Sequence, residues 1–97
     1  KNGLQIDGWT KDVIGPEPIA DKFRAFGWHV ISCNGHDFTE LRAAFAEAAR
    51  TKGSPSAIIA HTVKGKGVSF MENQAGWHGK APNQEQYQQA MAELEEQ

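Results

Sequence analysis

The stretch SAIIAHTV, residues 56 to 63, is an almost continuous apolar run of the length of one β-strand. Runs of this kind are typical of strands covered on both faces, as in the parallel sheets of α/β proteins. A second run, WHVISC at residues 28 to 33, also predicts a strand, because valine and isoleucine favour the extended backbone. We therefore expect both strands to belong to one parallel sheet.

Helical patterns lie on either side of the WHVISC run. The first helix is predicted to begin at Pro18 and to end at Gly27. Its apolar face consists of Ile19, Phe23 and Phe26. The second helix is predicted to be capped by Asp37, with Glu40 completing a capping box, and to end at Gly53. Its buried stripe is predicted to consist of Leu41, Ala44, Phe45 and Ala48.

Before these elements, LQID at residues 4 to 7 predicts a short first strand closed by the turn dipeptide Asp7-Gly8. Residues 8 to 18 are punctuated by glycine and proline, which predicts a connecting loop. The resulting order alternates strand, helix, strand, helix and strand. This order predicts an α/β fold with layers of parallel sheet and helices on both faces.

The end of the chain is predicted to be a long glycine-rich loop, residues 64 to 82, followed by a last helix. Asn83 can cap this helix and Gln86 can close its capping box. The apolar side of the helix would be formed by Tyr87, Ala90, Met91 and Leu94.

Composition narrows the class of protein. The 97 residues allow one domain at most, and a net charge of −2 with a pI near 6.1 argues against nucleic acid or anionic membrane as a partner. No apolar stretch is long enough to span a membrane. The single cysteine, Cys33, excludes an internal disulfide, is predicted to be buried, and fits the reducing cytosol. The first residue is Lys1 and not methionine, so we expect the chain to be a piece of a longer protein.

Individual polar motifs leave two interpretations open. The run VKGKG, residues 63 to 67, could bind phosphate through backbone N–H groups and lysine charge, but a solvated basic turn is at least as good an interpretation. His61 is better explained as a core or near-core residue, and His36 as a turn residue at a helix entry. His78, taken alone, is best explained as a solvated loop residue.

Five stretches, taken together and in order, are specific. They are NGLQIDG at 2–8, DKFRAFGWHV at 21–30, NGHD at 34–37, IIAHTVKGKGVSFMEN at 58–73 and WHGKAPN at 77–83. On these stretches the chain resembles the C-terminal portion of the thiamine-diphosphate-binding half of transketolase, and especially the separate N-terminal subunit found where transketolase is split in two. We therefore interpret residues 1 to 97 as the C-terminal part of one such domain, with its upstream part absent.

The resemblance implies a cofactor, thiamine diphosphate, held through a divalent ion that is Mg²⁺, Ca²⁺ or Mn²⁺. Asn2 matches the family's metal-binding asparagine, and Leu4 matches the position whose backbone carbonyl also binds the metal; hard oxygen ligands of this kind suit Mg²⁺. Lys64 and Gly65 match positions beside the cofactor. His78 matches the active-site histidine near the diphosphate and the sugar, where an imidazole can move a proton near neutral pH.

The function implied is transfer of a two-carbon ketol unit from a ketose phosphate to an aldose phosphate. The partners implied are a C-terminal transketolase subunit, in a dimer of the subunit pair, together with the upstream part of the domain to which this chain belongs. The location implied is the cytoplasm. Two alternatives stay open. One is a related enzyme such as 1-deoxyxylulose-5-phosphate synthase, and the other is a non-catalytic binding or scaffold paralogue of the same fold.

Overall fold

A computed structural model describes residues 1 to 96. Its elements are β1 (Leu4–Gln5), β2 (Gly8–Trp9), α1 (Thr10–Val13), α2 (Ile19–Ala25), β3 (His29–Asn34), α3 (Phe38–Arg50), β4 (Ser56–His61), a short 3-10 helix (Ala75–Trp77) and α4 (Gln84–Glu95). The chain forms two compact units. The sheet unit contains Lys1 and Gly15–Thr62, and the hairpin unit contains Asn2–Ile14 and the chain from Val63 onward.

The sheet unit is built on the parallel pair β3 and β4, in which Ile31 lies opposite Ile58 and Cys33 opposite Ala60. The helix α3 packs on this pair, and Ala44 joins Ile31 and Cys33 in a buried core. On β4 the alternate residues are also buried, at Ala57 and Ile59. The prediction that this apolar strand is covered on both faces is therefore confirmed, as is the burial of Cys33.

The ends of α3 differ from the prediction. The Asp37 carboxylate does cap the helix by accepting the backbone N–H groups of Thr39 and Glu40. The Glu40 side chain accepts the backbone N–H of Asn34 at 2.6 Å, and the helix ends at Arg50. The predicted end at Gly53 is therefore wrong. The predicted capping box is also wrong, because Glu40 accepts the backbone N–H of Asn34, the last residue of β3, instead of that of Asp37.

Two phenylalanines that were predicted to lie on the apolar faces of helices are exposed. Phe45 on α3 is 62% exposed, although Leu41, Ala44 and Ala48 pack as predicted. Phe26, which follows the last residue of α2, is 85% exposed, and Phe23 makes an edge-to-face contact with Trp28 instead. Helical spacing alone therefore overstated the width of both apolar faces.

Three chain segments of the sheet unit meet at the carboxyl end of β4. The Gly35 N–H donates to the His61 carbonyl at 2.7 Å, and the Thr62 N–H donates to the Lys1 carbonyl at 3.0 Å. A Cβ on Gly35 would lie only 2.5 Å from Cγ2 of Thr62, so only glycine allows this approach. The His61 side chain is exposed here, so its predicted place in or near the core is wrong.

The hairpin unit begins with β1 and β2, which pair antiparallel, Leu4 with Trp9 and Gln5 with Gly8. The prediction that the first strand joins the parallel sheet is therefore wrong. The turn consists of Ile6 and Asp7, one residue earlier than the predicted Asp7-Gly8, and a two-residue connection can join only antiparallel strands. Residues 8 to 18, predicted as a loop, contain β2 and α1.

The remainder of the hairpin unit is the glycine-rich segment and α4. The Asn83 side chain and the Gln86 side chain form the predicted capping box at the start of α4. None of the helices within residues 1 to 96 is both long enough and apolar enough to cross a membrane. The apolar side of α4 presents exposed side chains at Tyr87, Met91 and Leu94.

Candidate functional site

A cavity of about 330 Å³ lies within the hairpin unit, and we call it the hairpin cavity. Its volume is within the range of small-molecule sites in proteins. Four of the five residues predicted to be functional line this cavity, from three separate segments of sequence. The lining consists of Asn2, Leu4, Gln5, Ile6, Lys64 and His78.

Asn2 and Leu4 are held by a turn that leads into β1. The Asn2 Oδ1 atom accepts the Leu4 backbone N–H at 2.9 Å, and Gly3 between them has a φ of +74°. The Gly3 carbonyl accepts both the backbone N–H of Thr10 at 2.8 Å and its hydroxyl at 3.2 Å. Both ends of the hairpin are thus joined at this turn, and the Asn2 oxygen keeps a second lone pair for another ligand.

Lys64 begins a closed turn that ends at Asn73. The Asn73 N–H donates to the Lys64 carbonyl at 3.0 Å, and Gly65 has a φ of +70°. A Cβ on Gly65 would lie 2.7 Å from the backbone C and O atoms of Met71, so the two backbones touch. Gly65 itself does not line the hairpin cavity. The structure therefore gives Gly65 a role in shaping the turn, and its predicted cofactor contact stays a prediction.

The two lysines of the VKGKG run have different surroundings. Lys66 Nζ lies 3.8 Å from the Glu72 carboxylate, which also accepts the Gly67 N–H at 3.0 Å. Lys64, by contrast, lines the hairpin cavity. Of the two ammonium groups, Lys64 is therefore the one placed to meet an anion bound in this cavity.

His78 follows directly after the 3-10 helix. Its backbone N–H donates to the Ala75 carbonyl at 3.0 Å, and its side chain is exposed while lining the hairpin cavity. The loop predicted over residues 64 to 82 therefore contains a helical turn next to His78. An exposed imidazole at the edge of a cavity can reach both a bound molecule and solvent, as proton exchange requires.

A second link connects the glycine-rich segment to α4. The Glu93 carboxylate accepts the backbone N–H of Ser69 at 2.5 Å and its hydroxyl at 2.6 Å, and it also accepts the Gln89 amide at 2.9 Å. The Ser69 hydroxyl, followed by the Ser69 backbone N–H and Gln89, lowers the pKa of Glu93. Glu93 is therefore a fixed negative charge at neutral pH.

Residues 1 to 96 provide only some of the ligands that a metal ion in the hairpin cavity would need. Among residues 1 to 96 no three side chains of histidine, cysteine, aspartate or glutamate are grouped so that they could hold a metal. The Asn2 side-chain oxygen and the Leu4 backbone carbonyl are oxygen donors of the type that Mg²⁺ prefers. The donor set thus fits part of an Mg²⁺ site.

Two lining residues were not predicted, Gln5 and Ile6. Ile6 lies in the tight turn of the hairpin and is 63% exposed, and an apolar side chain is unusual in such a turn. That mismatch was the available signal for Ile6. Nothing in the local sequence distinguishes Gln5 from an ordinary polar strand residue.

Comparison with known proteins identifies relatives over nearly the whole chain. A 6-deoxy-6-sulfo-D-fructose transketolase subunit of Clostridium sp. is 46% identical over 94 residues, which is 97% of this chain and 34% of that protein. An apulose-4-phosphate transketolase subunit of Phocaeicola vulgatus is 42% identical over 96 residues, or 99% of this chain and 34% of that protein. The chain thus spans about a third of the length of these relatives.

Solved structures and a family profile agree with these matches. A transketolase from Campylobacter jejuni superposes with a TM-score of 0.88 at 29% identity, covering 98% of this chain and 15% of that one. Residues 1–95 match the family described as "Transketolase, thiamine diphosphate binding domain". The α/β fold of this chain is therefore that of a known family of enzymes, and the chain belongs to the thiamine diphosphate binding domain family of transketolases.

Proposed function

We propose that the complete protein carrying this chain is a transketolase, which transfers a two-carbon ketol unit from a ketose phosphate to an aldose phosphate. The observation that carries the proposal is the hairpin cavity. In a chain of this family, four residues from three separate segments of the sequence line one cavity, and each offers a group that ketol transfer with a diphosphate cofactor can use. These residues are Asn2, Leu4, Lys64 and His78.

The cofactor proposed is thiamine diphosphate with Mg²⁺. The Asn2 side-chain oxygen and the Leu4 carbonyl would serve as metal ligands, and the Lys64 ammonium would offset the charge of the diphosphate. When bound, the cofactor supplies the stabilised carbanion that ketol transfer needs. The protein's own contribution is to bind, orient and shield the reacting groups.

For His78 we propose a proton-transferring role at the sugar. Imidazole can accept a proton from a hydroxyl group or donate one near neutral pH. The exposed position of His78 at the edge of the hairpin cavity supports this role, because an exposed imidazole that lines the cavity can contact both a bound sugar and solvent. General acid–base groups of this kind typically contribute about 10²–10⁴-fold to a rate.

The partner proposed is a separate C-terminal transketolase subunit, with two such pairs forming a dimer. The support is that the two relatives described above are named as subunits of transketolases. A cytosolic location is part of the same proposal, since Cys33 is a buried free thiol and free thiols suit a reducing compartment.

Ketol transfer can be tested with the complete protein and its partner subunit, with thiamine diphosphate, Mg²⁺ and an aldose phosphate as acceptor. The donors to compare are an unmodified ketose phosphate, 6-deoxy-6-sulfo-D-fructose and apulose 4-phosphate, the last two taken from the names of the relatives. Formation of a carbonyl product two carbons shorter than the donor, an aldose from the unbranched ketoses and a ketone from the branched apulose 4-phosphate, together with a ketose two carbons longer than the acceptor, supports the proposal. Release of CO₂ from pyruvate in place of ketol transfer would identify a 1-deoxyxylulose-5-phosphate synthase-like enzyme, and cofactor binding without either reaction would identify a scaffold.

The metal-binding role has a matched control within this chain. The side-chain oxygens of Asn2 and Asn34 each accept the backbone N–H of the residue two positions later, at 2.9 Å. An Asn→Ala substitution therefore removes the same kind of hydrogen bond at both positions. We expect Asn2→Ala to raise the concentrations of Mg²⁺ and thiamine diphosphate needed for half-saturation, by about tenfold or more for one lost ligand. Equal shifts for Asn2→Ala and Asn34→Ala would show that Asn2 is only a turn residue.

A further inference from the structure

The side chain of Trp77 makes three kinds of contact within the hairpin unit. Its indole Nε1–H donates to the Phe70 carbonyl at 3.1 Å. Its ring lies 5.4 Å from the Phe70 ring at an interplanar angle of 56°, a tilted aromatic pair. The Lys80 ammonium lies 4.6 Å from the Trp77 ring centroid, within the range of a cation–π contact.

These contacts connect the 3-10 helix to the turn before it. Phe70 lies in the closed turn that runs from Lys64 to Asn73, and Val68 two residues earlier is buried. Trp77 therefore ties its own short helix to a segment that is anchored in the interior. The Trp77 ring also contacts Lys80. Its contact residues therefore include one that precedes His78 in the sequence, Phe70, and one that follows it, Lys80.

For His78 itself, residues 1 to 96 provide no comparable side-chain anchor that would explain where the imidazole lies. It is exposed, and its backbone N–H bonds locally to the Ala75 carbonyl. A three-residue 3-10 helix is too short to hold its own position. The restraint on the direction of His78 must come from the residues beside it, and Trp77 is the adjoining residue with bonds to another segment.

We propose that Trp77 is the positioning residue for His78: by fixing the 3-10 helix to the Phe70 turn, it sets where the imidazole stands at the edge of the hairpin cavity. Trp77 does not line that cavity, so it acts through His78 and not on a bound molecule. The expected effect on turnover rests on the proposed function. The anchoring of the loop does not.

The test uses three variants of the complete protein, each with its partner subunit. Trp77→Phe keeps a ring for Phe70 and Lys80 but removes the N–H donor, and Trp77→Leu removes all three contacts. Trp28→Phe is the matched control, because Trp28 also packs edge-to-face on a phenylalanine, Phe23, but lies in the sheet unit. For each variant we would measure amide hydrogen exchange over residues 74 to 80, together with kcat, KM and cofactor affinity.

We expect Trp77→Phe to accelerate exchange over residues 74 to 80 by roughly five- to tenfold, the effect of one lost hydrogen bond, and Trp77→Leu to accelerate it further. Turnover should fall by about 10–100-fold in Trp77→Leu, because small misplacements of a catalytic group are costly. The variant Trp77→Phe should restore part of that turnover. Cofactor affinity should change little, and Trp28→Phe should leave exchange in this segment and turnover unchanged.

Two results would overturn the proposal. Unchanged exchange over residues 74 to 80 in both Trp77 variants would show that the loop is held by something else. Faster exchange with full turnover would show that the position of His78 does not depend on Trp77. Absence of ketol transfer in the wild-type protein would refute the proposed function instead, and the exchange comparison would still decide whether Trp77 anchors the loop. If Trp77→Leu does not fold, Trp77→Phe decides the question.

Discussion

Replacing Gly65 by alanine should open the turn that carries Lys64. The backbone of Gly65 has a φ of +70°, where a residue with a Cβ costs about 1–2 kcal/mol. The new Cβ would also lie 2.6 Å from the Met71 Cβ and 2.7 Å from the Met71 carbonyl atoms. Moving a backbone segment to relieve such a clash costs a further ~1–3 kcal/mol. The free energy that keeps the turn closed should therefore fall by about 2–5 kcal/mol in total.

Gly53→Ala is the matched control for this prediction. Gly53 has a φ of +86°, but a Cβ there meets no atom within 4 Å. The control therefore carries only the conformational cost of about 1–2 kcal/mol. The difference between the two variants isolates the close approach of the Gly65 and Met71 backbones.

Amide hydrogen exchange in the complete protein is the suitable assay. The Val68 N–H donates to the Gly65 carbonyl at 3.1 Å and the Asn73 N–H to the Lys64 carbonyl at 3.0 Å, so both report opening of this turn. A loss of about 3 kcal/mol should accelerate their exchange roughly 10²-fold, against about tenfold near Gly53. Equal acceleration at the two sites would refute the reasoning, since the contact with Met71 would then cost nothing.

Further expectations concern histidine and carboxylate side chains. In the complete enzyme, His78→Ala should lower kcat by about 10²–10⁴-fold with little change in thermal stability. By contrast, His29→Ala breaks a 2.7 Å contact with a carboxylate of α3. It should lower the free energy of unfolding by about 1 kcal/mol and leave kcat nearly unchanged. The reverse pattern in unfolding and steady-state assays would mean that His78 is a solvated loop residue. The pKa of Glu93 is lowered in the folded state by its hydrogen bonds to Ser69. These bonds therefore stabilise the fold fully at pH values above 4.5, the ordinary pKa, and the stabilisation is lost as the pH falls through the lower folded-state pKa. The substitution Ser69→Ala should move the pKa of Glu93 back towards 4.5. An NMR titration with an unchanged Glu93 pKa would contradict the role of Ser69.

Sequence reasoning succeeded where one local signal had no competitor. Apolar runs located β3 and β4, and Asn83 with Gln86 gave the correct cap of α4. It failed where two signals competed. The extended pattern of residues 4 to 7 was outweighed by the turn at Ile6 and Asp7, which decides pairing partner and direction together.

The candidate site followed the same rule. The family resemblance named Asn2, Leu4, Lys64 and His78, and all four line the hairpin cavity. The resemblance also named Gly65, but this residue does not line the cavity. Gly65 lies against the Met71 backbone, and this close contact, which also requires a glycine, is visible only in the three-dimensional structure. Local patterns report propensity well, but the purpose of a glycine depends on which distant atoms approach it.

The division of the chain into two units has a consequence for biosynthesis. The sheet unit, apart from Lys1, is the unbroken segment Gly15–Thr62, whereas the hairpin unit joins Asn2–Ile14 to sequence beyond it. A ribosome adds about 5–20 residues per second, so several seconds pass between the emergence of Asn2 and that of His78. During that interval the parallel strands can pair while the first hairpin still waits for the residues that complete its unit. Residues that complete the hairpin cavity thus emerge after the whole of the sheet unit has been synthesised, and a pause in translation before residue 64 would lengthen the time during which the exposed Ile6 is open to chaperones.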